Sequence, residues 1–191
     1  EIEKTNDDSL RISYLKNLSS EWYNMKEYAI AGKYAFDVAE KTDTEEAWSI
    51  AGSTFAIGAK NYSDQKKKDY CTNNAIQAFE NAASINPENI NHRLNIGLCL
   101  TDNPRKENPM EGVQMLLELN KKYPESIPVL IQLARLGMKT GQFEKAVQRL
   151  NKVLSLDENN KRANCMIVDA YSALNDKVNA ALYEKKCLEF N

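Results

Sequence analysis

The sequence predicts an all-α solenoid built from stacked antiparallel helix pairs. Three observations carry that prediction. Apolar residues recur at helical spacing through most of the chain. A helical hairpin is written twice between residues 127 and 191, the second copy starting 34 residues after the first. A small–large–small–proline cadence then repeats upstream. In the first copy Leu133 and Ala134 lead to Gly141, Phe143, Ala146, Leu150 and Val153; in the second, Ile167 and Val168 lead to Tyr171, Asn175, Ala180 and Cys187. Self-similarity at this period is the mark of a stack, because a single hairpin cannot cover its own apolar face.

Composition fits a folded soluble protein. Hydrophobic residues make up 42% of the 191 positions and charged residues 27%, which argues against disorder. A net charge of −2 gives no electrostatic reason to expect nucleic acid as a partner. No apolar run approaches the roughly 18 residues that span a bilayer, so direct membrane insertion is not expected. The chain opens on Glu1 rather than methionine, and is read as an excised soluble fragment.

From the N-terminus, Leu10, Tyr14, Leu15 and Leu18 predict one helix, and Trp22, Met25, Ala29, Gly32, Ala35 and Val38 a longer second one. This pair, residues 1–43, reads as a degenerate or capping unit, with Glu1 to Asp8 frayed. Over 44–89, Ala51, Gly52 and Phe55 mark a first helix and Ala75, Phe79, Ala82 and Pro87 a second. Over 90–126, Ile96, Gly97 and Leu100 are followed by Gly112, Leu116, Leu119 and Pro124. The units 127–160 and 161–191 are the two clear copies.

Extra residues lie between Phe55 and Ala75, including the polar run Asn61 to Asp69, and again over Asp102 to Asn108. Both are expected as longer loops inside a hairpin, where added length costs little entropy. The Lys66-Lys67-Lys68 run is read as part of such a solvated loop. Asn108-Pro109 and Ser126 with Pro128 supply helix starts, and Gly141 a left-handed helix end. Small residues at Gly52, Gly97 and Ala134 let helices approach, while Phe79, Leu116 and Leu150 fill the core.

This cadence resembles the tetratricopeptide repeat. Trp48, Gly52 and Phe55 match that family's first-helix pattern, and Ala75, Phe79, Ala82 and Pro87 match its second. The resemblance implies a right-handed α-solenoid whose first helices line a concave face, and a scaffold that holds a protein or peptide there. Carried over by repeat position, it places Asn91, Leu94, Asn95, Leu98, Thr101 and Asp102 on that face. Pro128, Ile131, Gln132, Arg135, Met138 and Lys139 follow, then Arg162, Cys165, Met166, Asp169, Ser172 and Ala173. The partner-binding set drawn from these is Asn91, Asn95, Gln132, Arg135, Met138, Lys139, Arg162, Met166 and Asp169. Amides bond both polar groups of a peptide backbone, arginine grips a carboxylate with two parallel bonds, and methionine adapts to varied apolar side chains. Of the positions at which some family members clamp a chaperone's C-terminal carboxylate, only Asn95 carries a fitting residue.

Nothing in the sequence assembles a catalytic set, a cofactor loop or a metal site. His92 is the single histidine, so zinc and Ser–His–Asp chemistry lack partners. The segment Gly137 to Gly141 lacks the spacing of a phosphate cradle. Cys71, Cys99, Cys165 and Cys187 form no C-x-x-C pair and are expected as free thiols in apolar surroundings. The expected function is therefore a non-catalytic interaction scaffold. The alternatives are a self-assembly module, suggested by Leu182, Tyr183, Leu188 and Phe190 in the last helix and giving a homo-oligomer, or the recruiting domain of a larger envelope protein or enzyme. The wording around Asn108-Pro109-Met110-Glu111-Gly112 is similar to tetratricopeptide proteins of Bacteroidetes-type bacteria. That likeness implies the soluble domain of a membrane-tethered or periplasmic bacterial protein.

Overall fold

Ten α-helices follow one another in the computed structural model, which describes residues 8–189; no strand occurs among the described residues. In order they are α1 (Asp8–Asn24), α2 (Tyr28–Thr42), α3 (Glu45–Asn61), α4 (Gln65–Ile85), α5 (Ile90–Asp102), α6 (Glu111–Lys122), α7 (Ile127–Lys139), α8 (Phe143–Leu156), α9 (Lys161–Ala173) and α10 (Lys177–Leu188). Sequence neighbours pack side by side, α1 on α2, α3 on α4, α7 on α8 and α9 on α10. Successive first helices also touch, α3 with α5 and α7 with α9. The fold class is the expected all-α solenoid of tetratricopeptide type. The chain divides into two compact units, with the boundary inside α6 between Met115 and Leu116.

The core of the first unit is aromatic and alanine-rich. Phe36 meets Trp48 edge-on at 4.8 Å between ring centroids, and Phe55 lies between Phe36 and Tyr70. Such offset contacts add to the burial of the rings themselves. Room for Phe55 and Phe79 comes from missing side chains opposite them. A Cβ on Gly32 would lie 2.6 Å from the Phe55 ring, and one on Gly52 would lie 2.8 Å from Phe79. At Gly112 the added atom would meet backbone, 2.6 Å from the Gly97 carbonyl oxygen, so α5 and α6 approach main chain to main chain. In the second unit Leu130, Ile131, Ala134, Ala146, Leu150, Val153, Ala163, Ile167 and Ala170 form one cluster.

Several local expectations change. Trp22 belongs to α1, which runs to Asn24; the chain turns at Met25–Glu27, with Lys26 at a positive φ of 63°. The extra residues after Phe55 do not form a long loop. They lengthen α3 to 17 and α4 to 21 residues, leaving Tyr62 to Asp64 as the turn. Lys66, Lys67 and Lys68 are therefore helical, in the opening turn of α4, where Asp64 caps by accepting from the Lys67 N–H at 2.8 Å. The second addition is a loop, 103–110, tied down by Asn103, which donates to Asp69 at 2.9 Å and Thr72 at 3.0 Å. Helix α6 begins at Glu111, after a turn in which the Asn108 carbonyl accepts from Glu111, so Asn108 is not its immediate cap.

The cysteines divide into two pairs of different kind. Cys71 and Cys99 are free and buried, as expected. Cys165 and Cys187 are not free: they form a disulfide joining α9 to α10. Their 22-residue separation hides the pairing in the sequence, because only the antiparallel return of α10 brings the two faces together.

Candidate functional site

A cleft in the first unit opens between α1, α2 and α3 and has a volume of about 620 Å³. Its α1 wall is Lys16, Ser19, Ser20 and Tyr23; its floor is Ala35, Val38 and Thr42; its α3 wall is Glu46, Ala47, Ile50 and Thr54, with Thr44 at the corner. A shallower hollow of about 340 Å³ continues along α3 past Ser49, Ser53 and Ile57. Ile50 and Tyr23 are apolar groups left open to solvent, at 52% and 42% exposure.

Local chemistry sets each wall. Ser19 Oγ donates to the Ala31 carbonyl at 2.9 Å and pins α1 to α2. Asp43, at a positive φ of 43°, ends α2, and Thr44 starts α3 by accepting from the Ala47 N–H at 3.3 Å. Asp43 also accepts from the indole of Trp48 at 3.0 Å, holding the turn against the core. Other lining hydroxyls donate to their own helices: Thr42 to Val38 at 3.0 Å, Ser49 to Glu45 at 2.8 Å and Thr54 to Ile50 at 2.8 Å.

Glu45, next to Glu46 of the lining, fixes the start of α3. Its carboxylate accepts from Asn86 Nδ2 at 2.9 Å and Asn89 Nδ2 at 2.7 Å, and lies 2.7 Å from Nε2 of the buried His92. Hydrogen bonds from Asn86, Asn89 and then His92 pull its pKa from 4.5 to about 2. One carboxylate thus gathers the end of α4 and the start of α5 onto α3. His92 is occupied in this knot and does not face the cleft.

The sequence-predicted residues lie elsewhere. Asn91 is exposed at the start of α5, its N–H held by Asn89 Oδ1, and Asn95 is half-buried one turn on. On α7, Gln132, Arg135 and Met138 are half-buried and Lys139 is exposed; on the adjacent α9, Arg162 and Asp169 are exposed and Met166 is half-buried. Gln132 Oε1 is buried without a hydrogen-bond partner. Leu94 and Ile131, 5% and 6% exposed, belong to the core rather than to a binding face. Cys165 is engaged in the disulfide.

Sequence reading missed the α1–α3 cleft because it treated residues 1–43 as a cap. A signal was present: Ser19-Ser20 and Ser53-Thr54 stand 34 residues apart, the same period as the clear repeats, with hydroxyls at both places.

Among the described residues no group of three or more His, Cys, Asp or Glu side chains gathers as a metal site, and no helix is long and apolar enough to cross a membrane. Burial pushes the Cys71 thiol to about 11 and the Cys99 thiol to about 12, away from the reactive thiolate.

Comparison with known proteins places the chain by fold. Residues 127–160 match the family model of the tetratricopeptide repeat. Across nearly the whole chain the fold is like that of solved MamA proteins. MamA 41-end from Desulfovibrio magneticus RS-1 aligns with a TM-score of 0.59 at 16% identity, covering 97% of this chain and 96% of that one. A further MamA crystal structure aligns with a TM-score of 0.55 at 17% identity, over 93% and 90%. At these identities the likeness is one of architecture. No curated protein matches the chain in sequence.

Proposed function

We propose that this protein is a non-catalytic scaffold that holds a peptide or protein partner against the first helices of its pairs. The cleft between α1, α2 and α3 is the seat for an apolar side chain of that partner. One observation carries the reading: a cleft of about 620 Å³ in which solvent-exposed Ile50 and Tyr23 stand over Ala35 and Val38. That volume suits a small number of side chains, and exposed apolar surface inside a concavity is what a partner's side chain gains by covering.

The wider reading takes residues 1–43 as a capping pair followed by four repeats, 44–89, 90–126, 127–160 and 161–191. In this reading Asn91 and Asn95 of α5 are partner contacts of the first unit, and Gln132, Arg135, Met138, Lys139, Arg162, Met166 and Asp169 are those of the second unit taken by itself. The likeness in wording to Bacteroidetes-type repeat proteins supports a membrane-tethered or periplasmic setting for this scaffold.

The test is photo-crosslinking in the native cell with the reporter at Ser53. A partner is captured from that position and not from Glu80 on α4. Adding Ile50→Glu removes capture while the thermal melt followed by circular dichroism is unchanged. Equal capture from both positions, or capture indifferent to Ile50→Glu, counts against the cleft.

A further inference from the structure

We infer that the cleft between α1, α2 and α3 selects its peptide by charge order. It takes a segment in which an apolar side chain stands between an acidic residue on one side and a basic residue on the other. The inference rests on the cleft being the partner's seat, and adds the chemistry that this seat accepts.

Two charged side chains line the cleft, and they stand on facing walls: Lys16 on α1 and Glu46 on α3. Both are exposed, and among the described residues neither takes part in an ion pair. The acids beside Glu46 are already engaged. Asp43 accepts from the Trp48 indole at 3.0 Å, and the Glu45 carboxylate is held by Asn86, Asn89 and His92. Glu46 is thus the carboxylate that this corner offers a visitor. It precedes exposed Ile50 by four residues on α3, so the two share a face about 5–6 Å apart. A side chain seated on Ile50 therefore brings its neighbours in the partner within reach of Glu46.

The facing signs decide what fits. A segment of one charge sign is drawn to one wall and repelled by the other, so the two effects oppose. A neutral segment gains from neither wall. A segment carrying both signs satisfies both, with its acid toward α1 and its base toward α3. In an extended chain alternate side chains share a face and stand about 7 Å apart, so the charges fall within two residues of the apolar anchor. Exposed pairs add modestly, and the selectivity is a several-fold preference laid over the apolar contact.

A random seven-residue peptide display library tests this, selected on the whole chain and counter-selected on Ile50→Glu. Enriched peptides are expected to hold an apolar residue with an acid and a base within two positions on opposite sides. A synthetic peptide of that pattern binds roughly fivefold more tightly than its counterpart with Asn and Gln in place of the charges. Lys16→Glu shifts enrichment toward peptides with two bases, and Glu46→Lys toward peptides with two acids, with the circular dichroism spectrum unchanged in either. Peptides that depend on Ile50 but show no charge preference, or a preference indifferent to both exchanges, overturn the charge rule and leave the cleft standing. Absence of any enrichment that depends on Ile50 overturns the cleft and the charge rule together.

Discussion

Three donors converge on the Glu45 carboxylate, and this gives the protein a pH dependence of definite sign. The group is depressed from 4.5 to about 2 when folded, chiefly by Asn86 and Asn89 with His92 next. Its contribution to stability is therefore complete above the ordinary value and disappears as the pH falls through the folded one. Glu45→Gln removes that contribution. As the pH falls from about 5 toward about 2, the gap in Tm between the native chain and the variant should narrow. A gap that does not change over this range would show that the knot acts through packing alone. Nothing about Glu45 announced this role in the sequence. Its partners lie more than forty positions away, brought close only when α4 returns.

At the scale of elements, the hairpin of α7 and α8 was the most legible, because each of its signals is local. Pro128 occupies the first turn of α7, and Gly141 takes φ +73° just past its end. Nothing lies within 4 Å of where a Gly141 side chain would begin, so its requirement is conformational. Gly141→Val should cost about 1–2 kcal/mol in chemical denaturation. Gly141→Asn should cost clearly less, since asparagine tolerates the left-handed region. Equal losses in the two variants would point to packing instead. Where signals are not local, the sequence misled. The residues after Phe55 read as an inserted loop because their polarity interrupts the apolar period. In the fold they extend α3 and α4, and Gln65 and Asp69 of the polar run bond to Asn103 of the later loop. The break at Lys26 was equally hidden, since neither glycine nor proline marks it.

For the molecule as a whole, stability in a repeat stack is graded by the neighbours each helix has. Helix α4 buries Cys71, Thr72, Ala75, Ile76, Ala78, Phe79 and Ala82, whereas α10 buries nothing and depends on its links to α9. Amide hydrogen exchange should be slowest in α4 and fastest among the helical amides of α10. Reduction, or Cys165→Ser, should speed α10 further and leave α4 unchanged. Uniform acceleration across both helices would contradict this gradient. The architecture was readable because its period is written in small and large apolar residues, which announce helix contacts directly. The cleft was not, because a concavity depends on how α1, α2 and α3 are spaced rather than on which residues they carry. The hydroxyls of that cleft hold one more consequence. Ser19, Thr42, Ser49 and Thr54 turn their protons inward to carbonyl oxygens, so what they offer a visitor is lone pairs. A chain that brings amide hydrogens of its own is welcomed at these four oxygens.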